Sequence, residues 1–502
     1  MKKLFVVLLL VSIMMVMAFA KDHLIVGTTD KIRILDPADC YDYFSSNILQ
    51  NTLAGPVDYE VGTANLKPWI FESWEAASNS TEYTFKVNKD AQFMNGNPID
   101  AEVVKWNLDR SMRLDGQPAF LLTDIIESVE VLDEYTVKIT LQRPFSAFVS
   151  VLGYTVAFPV DPEETPEDEF FTGIPTASGP YYVADWQRDV RIVLEENPNY
   201  FGPKPLTKTI VINFYENAST LRLALESGEI DLAYRELDPR DFLAFKEKGE
   251  FAVYEGRSPM IREIVFQCQS ENLSDKTVRQ ALSYAVDRKA IVGDVFAGTA
   301  EPLFTLIPGG MWGHKGTMPA RNLDKAKALL KEAGYSEDNP LEVDFWYTPS
   351  HYGSTEADVA QVLAEAIQET GMVNVNLKYA EWGTYVEYFL NGTMEMFLLG
   401  WFPDYLDPDN YMWPFLSEAG AKSMGAYYQN DTITDLMLQA REHSEVLDRT
   451  IDYAKIQDML TEEVPYVPLW QGTQQCVAKP EVQGINLEPT QIFRYYILSL
   501  ED

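Results

Sequence analysis

The chain has 502 residues, 46% of them hydrophobic and 13% aromatic, with a formal net charge of −36. That length exceeds one ordinary core and suits two or three domains, and the apolar fraction argues against disorder. So negative a protein opposes polyanionic partners, which excludes nucleic acid and anionic membrane surfaces from the expected partners.

Read in chain order, residues 1–20, MKKLFVVLLLVSIMMVMAFA, place Lys2 and Lys3 before an apolar run and end with Ala18 and Ala20 in A-x-A spacing. This is the pattern of a secretory signal peptide cleaved before Lys21. No cysteine follows the site, so a lipid anchor is not indicated. No later segment is apolar over roughly 18 residues, so the mature chain is expected to be soluble and periplasmic or otherwise extracytoplasmic. HLIVGT alternates as a strand does, and CYDYFSSNILQNTLAGP is helical in its middle. TEYTFKVNKDAQFMNGNPI reads as strand and turn, followed by a helix capped at Asp100. A hairpin is expected around Asp133–Glu134, and the acidic, Pro-rich stretch after Asp161 reads as a crossing between domains. RIVLEEN and TIVINFY are strand-like, and a helix capped at Ser219 stops at Gly228. From Asp275 onward, apolar stripes with polar caps alternate with the strand patterns LEVDFWY and VNVNLKYA. That alternation predicts an α/β fold with a parallel or mixed sheet.

Covalent chemistry has few carriers. The four histidines, His23, His314, His351 and His443, share no helical i, i+4 spacing, and there is no H-E-x-x-H, P-loop, G-x-G-x-x-G or G-x-S-x-G motif. No metal, no cofactor and no enzymatic activity are expected. Paired carboxylates are abundant in so acidic a chain, and abundance alone does not make a glycosidase; a secreted glycoside hydrolase is the alternative from another class. Three cysteines, Cys40, Cys268 and Cys476, allow at most one disulfide, with three buried free thiols as the other reading.

Five segments in order resemble a known family. FMNGNPIDAEVVKWNLDR is similar to an F-x-N-G-x-P…A-x-D-V element, with Glu102 where Asp is usual. TASGPYYVADW resembles G-T-G-P-Y…W, with Ala177 and Ser178 in place of Gly-Thr, and ENPNYF follows it as N-x-x-Y and an aromatic. LSDKTVRQALSYAVDRKAIV and GWFPDYLDP match a V-R-Q-A…D-R element and G-W-x-x-D-Y-x-D-P. The chain is thereby identified as resembling the extracytoplasmic solute-binding proteins of ABC importers, of the dipeptide/oligopeptide-binding family 5. The resemblance implies a periplasmic-binding-protein type II-like α/β fold, two lobes around a ligand cleft with an extra inserted domain. Domain I would comprise residues 21–45, 173–265 and 476–502, domain II residues 46–172 and domain III residues 266–475. It also implies a monomer that captures a small peptide and delivers it to membrane permease subunits. An oligosaccharide ligand is the alternative, because many Trp and Tyr rings suit sugar stacking.

Site residues follow from the same resemblance. Asp404 of GWFPDY takes the position that holds a peptide's ammonium, and Trp401 walls the pocket. Asp404 is expected to face an open, wet cleft when no ligand is bound, and Asp407, before Pro408, is expected to form a turn. Trp382, Tyr43, Arg235, Glu236, Trp470 and Gln471 are the further expected ligand contacts. Phe389 and Leu398 are apolar where peptide-binding relatives carry arginine, so a long peptide's carboxylate is not expected to be held in that manner. In the implied layout Cys268 and Cys476 lie on segments crossing between lobes, and a disulfide joining them is the corresponding expectation.

Overall fold

Alternation in β1, His23–Thr28, buries Leu24 and Val26 on one face. This computed structural model describes residues 23–235, 237–349, 351–353 and 355–501; the expected signal peptide, its cleavage site and Glu236 lie outside the described residues. Asp42 caps α1, Tyr43–Thr52, its carboxylate accepting the Ser45 amide at 2.9 Å. Phe44, Ile48 and Leu49 of α1 share a core with Leu24, Val26 and Ile210. The expected start of domain II at residue 46 thus falls inside a helix that packs on the first lobe.

A separate four-stranded antiparallel sheet follows. Its strands β2, Phe71–Ala76, β3, Glu82–Val87, β4, Ile126–Asp133, and β5, Thr136–Leu141, lie in the order β2-β3-β5-β4. Helix α2, Ala101–Leu114, begins at Asp100, which accepts the Val103 amide at 2.9 Å as an N-cap should. Its Val104 and Leu108 join Phe85, Val137 and Ile139 in a core of their own.

The chain then returns to the sheet of β1. Strands β6, Tyr181–Gln187, β7, Arg191–Glu196, β8, Thr209–Phe214, and the short β9, Leu232–Tyr234, are added to it. Between β8 and β9 runs α3, Ala218–Ser227; its cap is Asn217, which accepts the Thr220 amide, and Gly228 ends it at φ 80°. The cap therefore lies two residues before the expected Ser219, because an Asn side chain there can complete a reciprocal pair with Thr220. β10, Ala252–Phe266, is 15 residues long and carries the chain out of the first lobe.

In the third lobe, α4, Lys276–Ala285, ends where Asp287 caps a new short turn, breaking what its periodicity predicts as one continuous helix. β11, Leu341–Tyr347, α5, Glu356–Gln368, β12, Val373–Tyr379, α6, Trp382–Leu390, and β13, Met396–Trp401, then alternate. α7, Asp409–Leu416, α8, Asp431–Glu442, and α9, Val446–Glu463, lead to β14, Tyr466–Ala478. One sheet runs through both lobes in the order β12-β11-β13-β10-β14-β9-β1-β8-β7-β6. β10 and β14 pair antiparallel from Ala252 opposite Ala478 to Val265 opposite Tyr466, so these two strands physically join the lobes. Their register shifts between Arg257 and Ile261, a bulge beside Gly472 midway along the ribbon. β11 is parallel to both β12 and β13, and the carboxyl ends of all three point toward this midpoint.

The expected disulfide is absent. Cys40, Cys268 and Cys476 are all free. Cys476 sits opposite Tyr254 near the start of β10, and Cys268 lies beyond that strand's other end. At about 3.3 Å per residue the two are roughly 40 Å apart, where a disulfide needs Cα atoms within about 7 Å. The crossing strands do run side by side, but antiparallel pairing puts the two cysteines at opposite ends. Among the described residues, no helix is long and apolar enough to cross a membrane.

Candidate functional site

β13 delivers the chain to the middle of the ribbon, with Trp401 opposite Ile261, and the loop Phe402–Pro408 follows. Asn410, near the start of α7, organises that loop. Its Oδ1 accepts the Trp401 indole N–H at 3.0 Å and the Asp404 amide at 2.9 Å, while its Nδ2 donates to the Asp404 carboxylate at 3.3 Å. Indole and carboxylate are thereby fixed on one frame.

The three acids of this stretch have different environments. Asp407 accepts the Asp409 amide at 2.9 Å, the turn its sequence predicts, and is held by both terminal nitrogens of Arg449 at 2.6 and 2.9 Å. Asp409 is gripped by Arg441 at 2.7 and 2.8 Å and accepts the Tyr405 hydroxyl at 2.8 Å. Burial works against its charge, yet Arg441 and Tyr405 hold it below the usual carboxylate range. Asp404 has no such cation. It is 9% exposed, and among the described residues its polar neighbours are neutral, Asn410 and the Tyr41 hydroxyl. Burial pushes it up to about 6, and the bonds from Tyr41 and Asn410 offset only part of that. Tyr41 itself is driven well above a normal phenol by burial and by Asp404, so its hydroxyl stays protonated and donates. Asp404 is therefore enclosed, not facing the wet cleft its sequence position implies, because the lobes are closed over it.

Closure is visible in contacts across the loop. Phe402 meets Tyr43 of the first lobe, ring centroids 6.4 Å apart, and the Arg235 guanidinium lies 3.9 Å over the Tyr43 ring. Tyr43 donates to the Gln491 carbonyl at 2.7 Å and touches the Tyr234 hydroxyl. Arg235 is in the left-handed backbone region at φ 64° and reaches toward Asp30 at 3.8 Å. On the other side Tyr405 enters the core of the second lobe against Phe145, 6.1 Å between centroids, and the Ser146 amide donates to the Arg441 carbonyl at 2.9 Å.

The structure thus gathers Asp404, Trp401, Tyr43 and Arg235 around one loop. Trp382 stands in a neighbouring aromatic group, stacked on His351 at 3.6 Å and edge-on to Tyr352 at 5.7 Å. Trp470 belongs to the third lobe's core, 2% exposed and packed against Phe296. Gln471 is spent on backbone: it donates to the Ser258 and Gly309 carbonyls at 2.8 and 3.1 Å and accepts the Gly309 amide at 2.7 Å, bracing the bulge. Phe389 and Leu398 are core residues. Tyr41 and Asn410 are the residues that sequence reasoning misses. Asn410 follows the D-P-D of the motif and has the signature of a local cap, but no local pattern points to Tyr41. No cluster of His, Cys, Asp or Glu suited to a metal occurs among the described residues.

An enclosed loop between two lobes, aromatic on one side, presents one carboxylate without a cation among the described residues. Comparison with known proteins places the chain. The profile of the bacterial extracellular solute-binding proteins, family 5, matches residues 65–423, and the chain belongs to that family. It is 27% identical over 497 residues to the probable D,D-dipeptide-binding periplasmic protein DdpA of Escherichia coli K12, covering 96% of this chain and 95% of that protein. To the dipeptide-binding protein of the same organism it is 26% identical over 478 residues, 89% of this chain and 88% of that one. The fold is similar to the periplasmic binding protein DppA of Helicobacter pylori in complex with the peptide STSA. The TM-score is 0.83 at 24% identity, over 96% of this chain and 98% of that one. The fold is that of the type II periplasmic binding proteins, two lobes around a ligand cleft.

Proposed function

We propose that this chain is the substrate-binding protein of an ABC importer and that it captures a short peptide by its free amino end at Asp404. The single observation that carries the reading is the Asp404 carboxylate: buried, framed by the Asn410 amide and the Tyr41 hydroxyl, walled by Trp401, and without a cation among the described residues. A buried carboxylate left ionised is costly unless a positive group joins it. A peptide ammonium supplies that group, and ring surfaces supply contact that tolerates varied side chains. The names of the relatives, which refer to dipeptides, support a peptide over the oligosaccharide alternative.

The chain acts without turnover, as a monomer in the extracytoplasmic space, and releases its ligand to permease subunits. Lobe boundaries at residues 21–45, 173–265 and 476–502 for domain I, 46–172 for domain II and 266–475 for domain III follow the apolar cores, save that Ile48, Leu49, Leu53, Phe158 and Val160 pack in the core of domain I. The β10–β14 ribbon, bulged beside Gly472, is the hinge.

Thermal melting with di- to hexapeptides and with β-linked oligosaccharides tests this reading. A peptide at 100 times its Kd is expected to add about 2.7 kcal/mol of stability and to be recovered intact by mass spectrometry. Stabilisation by neutral oligosaccharides alone, or cleavage of the peptide, overturns the proposal.

A further inference from the structure

A second charged group stands at the same end of the sheet. Arg262 of β10 lies opposite Gly400 of β13, immediately before Trp401. It is 1% exposed. One terminal nitrogen donates to Glu356, the first residue of α5, whereas Nε and Nη1 have no acceptor among the described residues. Gly400 is what makes room: a Cβ there would lie 2.5 Å from Nη1.

The local strand geometry explains why a gap exists. β11 and β13 pair only at Phe345–Met396 and Trp346–Phe397 and then part. Gly400 consequently turns its amide and carbonyl to the Tyr352 hydroxyl, at 3.2 and 3.3 Å, and not to a neighbouring strand. The Tyr352 ring covers the guanidinium, which lies 3.7 Å from its centroid. The parting carboxyl ends of parallel strands are where α/β sheets hold ligands. Two unmet guanidinium N–H groups on a buried cation, with the Tyr352 ring at 3.7 Å and the Trp470 ring at 5.7 Å, suit an anion that accepts from one of them, above all a carboxylate. Burial and the positive charge of Arg262 hold His351 down to about 4, so the adjacent imidazole is neutral and adds no competing cation.

We infer that Arg262 receives the carboxylate of the captured peptide once Tyr352 swings off it. This rests on the peptide reading above. Gly400 and Asp404 are joined by a short chain segment whose Cα atoms span at most about 14 Å when fully extended. A ligand held by its ammonium at Asp404 and its carboxylate at Arg262 is therefore short, roughly two to four residues. Glu356 positions the guanidinium and does not touch the ligand.

Calorimetric titration of the full mature chain with alanine di-, tri- and tetrapeptides, each as free acid and as carboxy-terminal amide, tests the inference. The free acid of at least one length is expected to bind about 30-fold or more tightly than its amide, the loss that accompanies an unpaired buried charge. Arg262→Lys keeps a cation for Glu356 but loses the Nε–H and Nη1–H donors that lie beyond it. It is expected to bind acid and amide within about threefold of each other, a ratio of about 0.7 kcal/mol or less, with circular dichroism checking its fold. Should that variant not fold, the acid-to-amide ratio of the wild type decides alone. Amide binding as tight as acid leaves the peptide reading standing and overturns the role of Arg262. Failure of every free acid to bind overturns the peptide reading, and this inference with it.

Discussion

Replacing Asp404 with Asn removes the charge at its centre while keeping an oxygen for the Tyr41 hydroxyl. The structure sets the magnitude. Burial raises this carboxyl from 3.8 to about 6, roughly 2 units, or about 3 kcal/mol of cost for the ionised form. The sign follows from linkage: an acid raised in this way favours the ligand-free closed form below pH 3.8, and that advantage is lost as pH rises through about 6. At pH 8 the Asn variant is therefore expected to stabilise the empty closed form by up to about 3 kcal/mol over wild type. Peptide binding responds in the opposite sense, because the ammonium needs the ionised carboxylate. Affinity of the wild type is expected to be highest near pH 7, to fall up to tenfold per unit below about pH 6, and to fall again above about pH 8 as the free peptide's ammonium deprotonates. Asp404→Asn strands a buried ammonium, which costs about 2–5 kcal/mol, or very roughly 30- to 3,000-fold in Kd. Its residual binding should not vary between about pH 5 and 7, below the titration of the peptide's own amine. N-acetylating the peptide should mimic the substitution, and the two losses should not add. Calorimetric titrations of both proteins at half-unit pH steps provide the assay. Wild-type affinity that does not change from pH 5 to 8, with equal affinity in the variant, refutes the reasoning.

Other outcomes follow from the same contacts. Tyr405→Ala empties a position in the second lobe's core, 6% exposed; at about 3–5 kcal/mol for a large aromatic, it should shift the ligand-free protein toward an open form with a larger radius of gyration in X-ray scattering. Gln471→Ala removes three backbone hydrogen bonds at the bulge and is expected to lower stability by about 1–3 kcal/mol, measured by denaturant unfolding. Intact mass should not change on reduction, and all three thiols should titrate after denaturation; in the native state Cys268 should react slowly, since burial pushes its thiol up to about 11. Exported material should begin at Lys21, read by mass spectrometry of its amino terminus.

Legibility in the sequence tracked the range of the interaction. Alternation and caps are local, so the strands Leu341–Tyr347 and Val373–Tyr379, the Asp100 cap and the Gly228 stop can be read directly from the chain. The break after Ala285 was obscured because Val286 continues the apolar stripe of α4, while the capping power of Asp287 depends on the turn it forms. Within GWFPDYLDPDN the motif identifies Asp404, but its special state is non-local. Arg449 and Arg441, which neutralise Asp407 and Asp409, come from other helices, and Tyr41 arrives from the far amino-terminal lobe. Only the family resemblance points to Trp470 and Gln471 as ligand contacts. A strand alternates its faces, and theirs are taken by the apolar core and by the backbone of the bulge. The cysteine expectation failed on strand direction, which residue spacing does not encode.

The most direct test of the account is a crystal structure of the mature chain with a bound dipeptide. Closed lobes are expected, with the ligand's amino nitrogen within hydrogen-bonding distance of an Asp404 carboxylate oxygen and its backbone alongside Trp401. A dipeptide bound with its amino group in solvent or on another acid, and Asp404 still capped only by Tyr41 and Asn410, would contradict it.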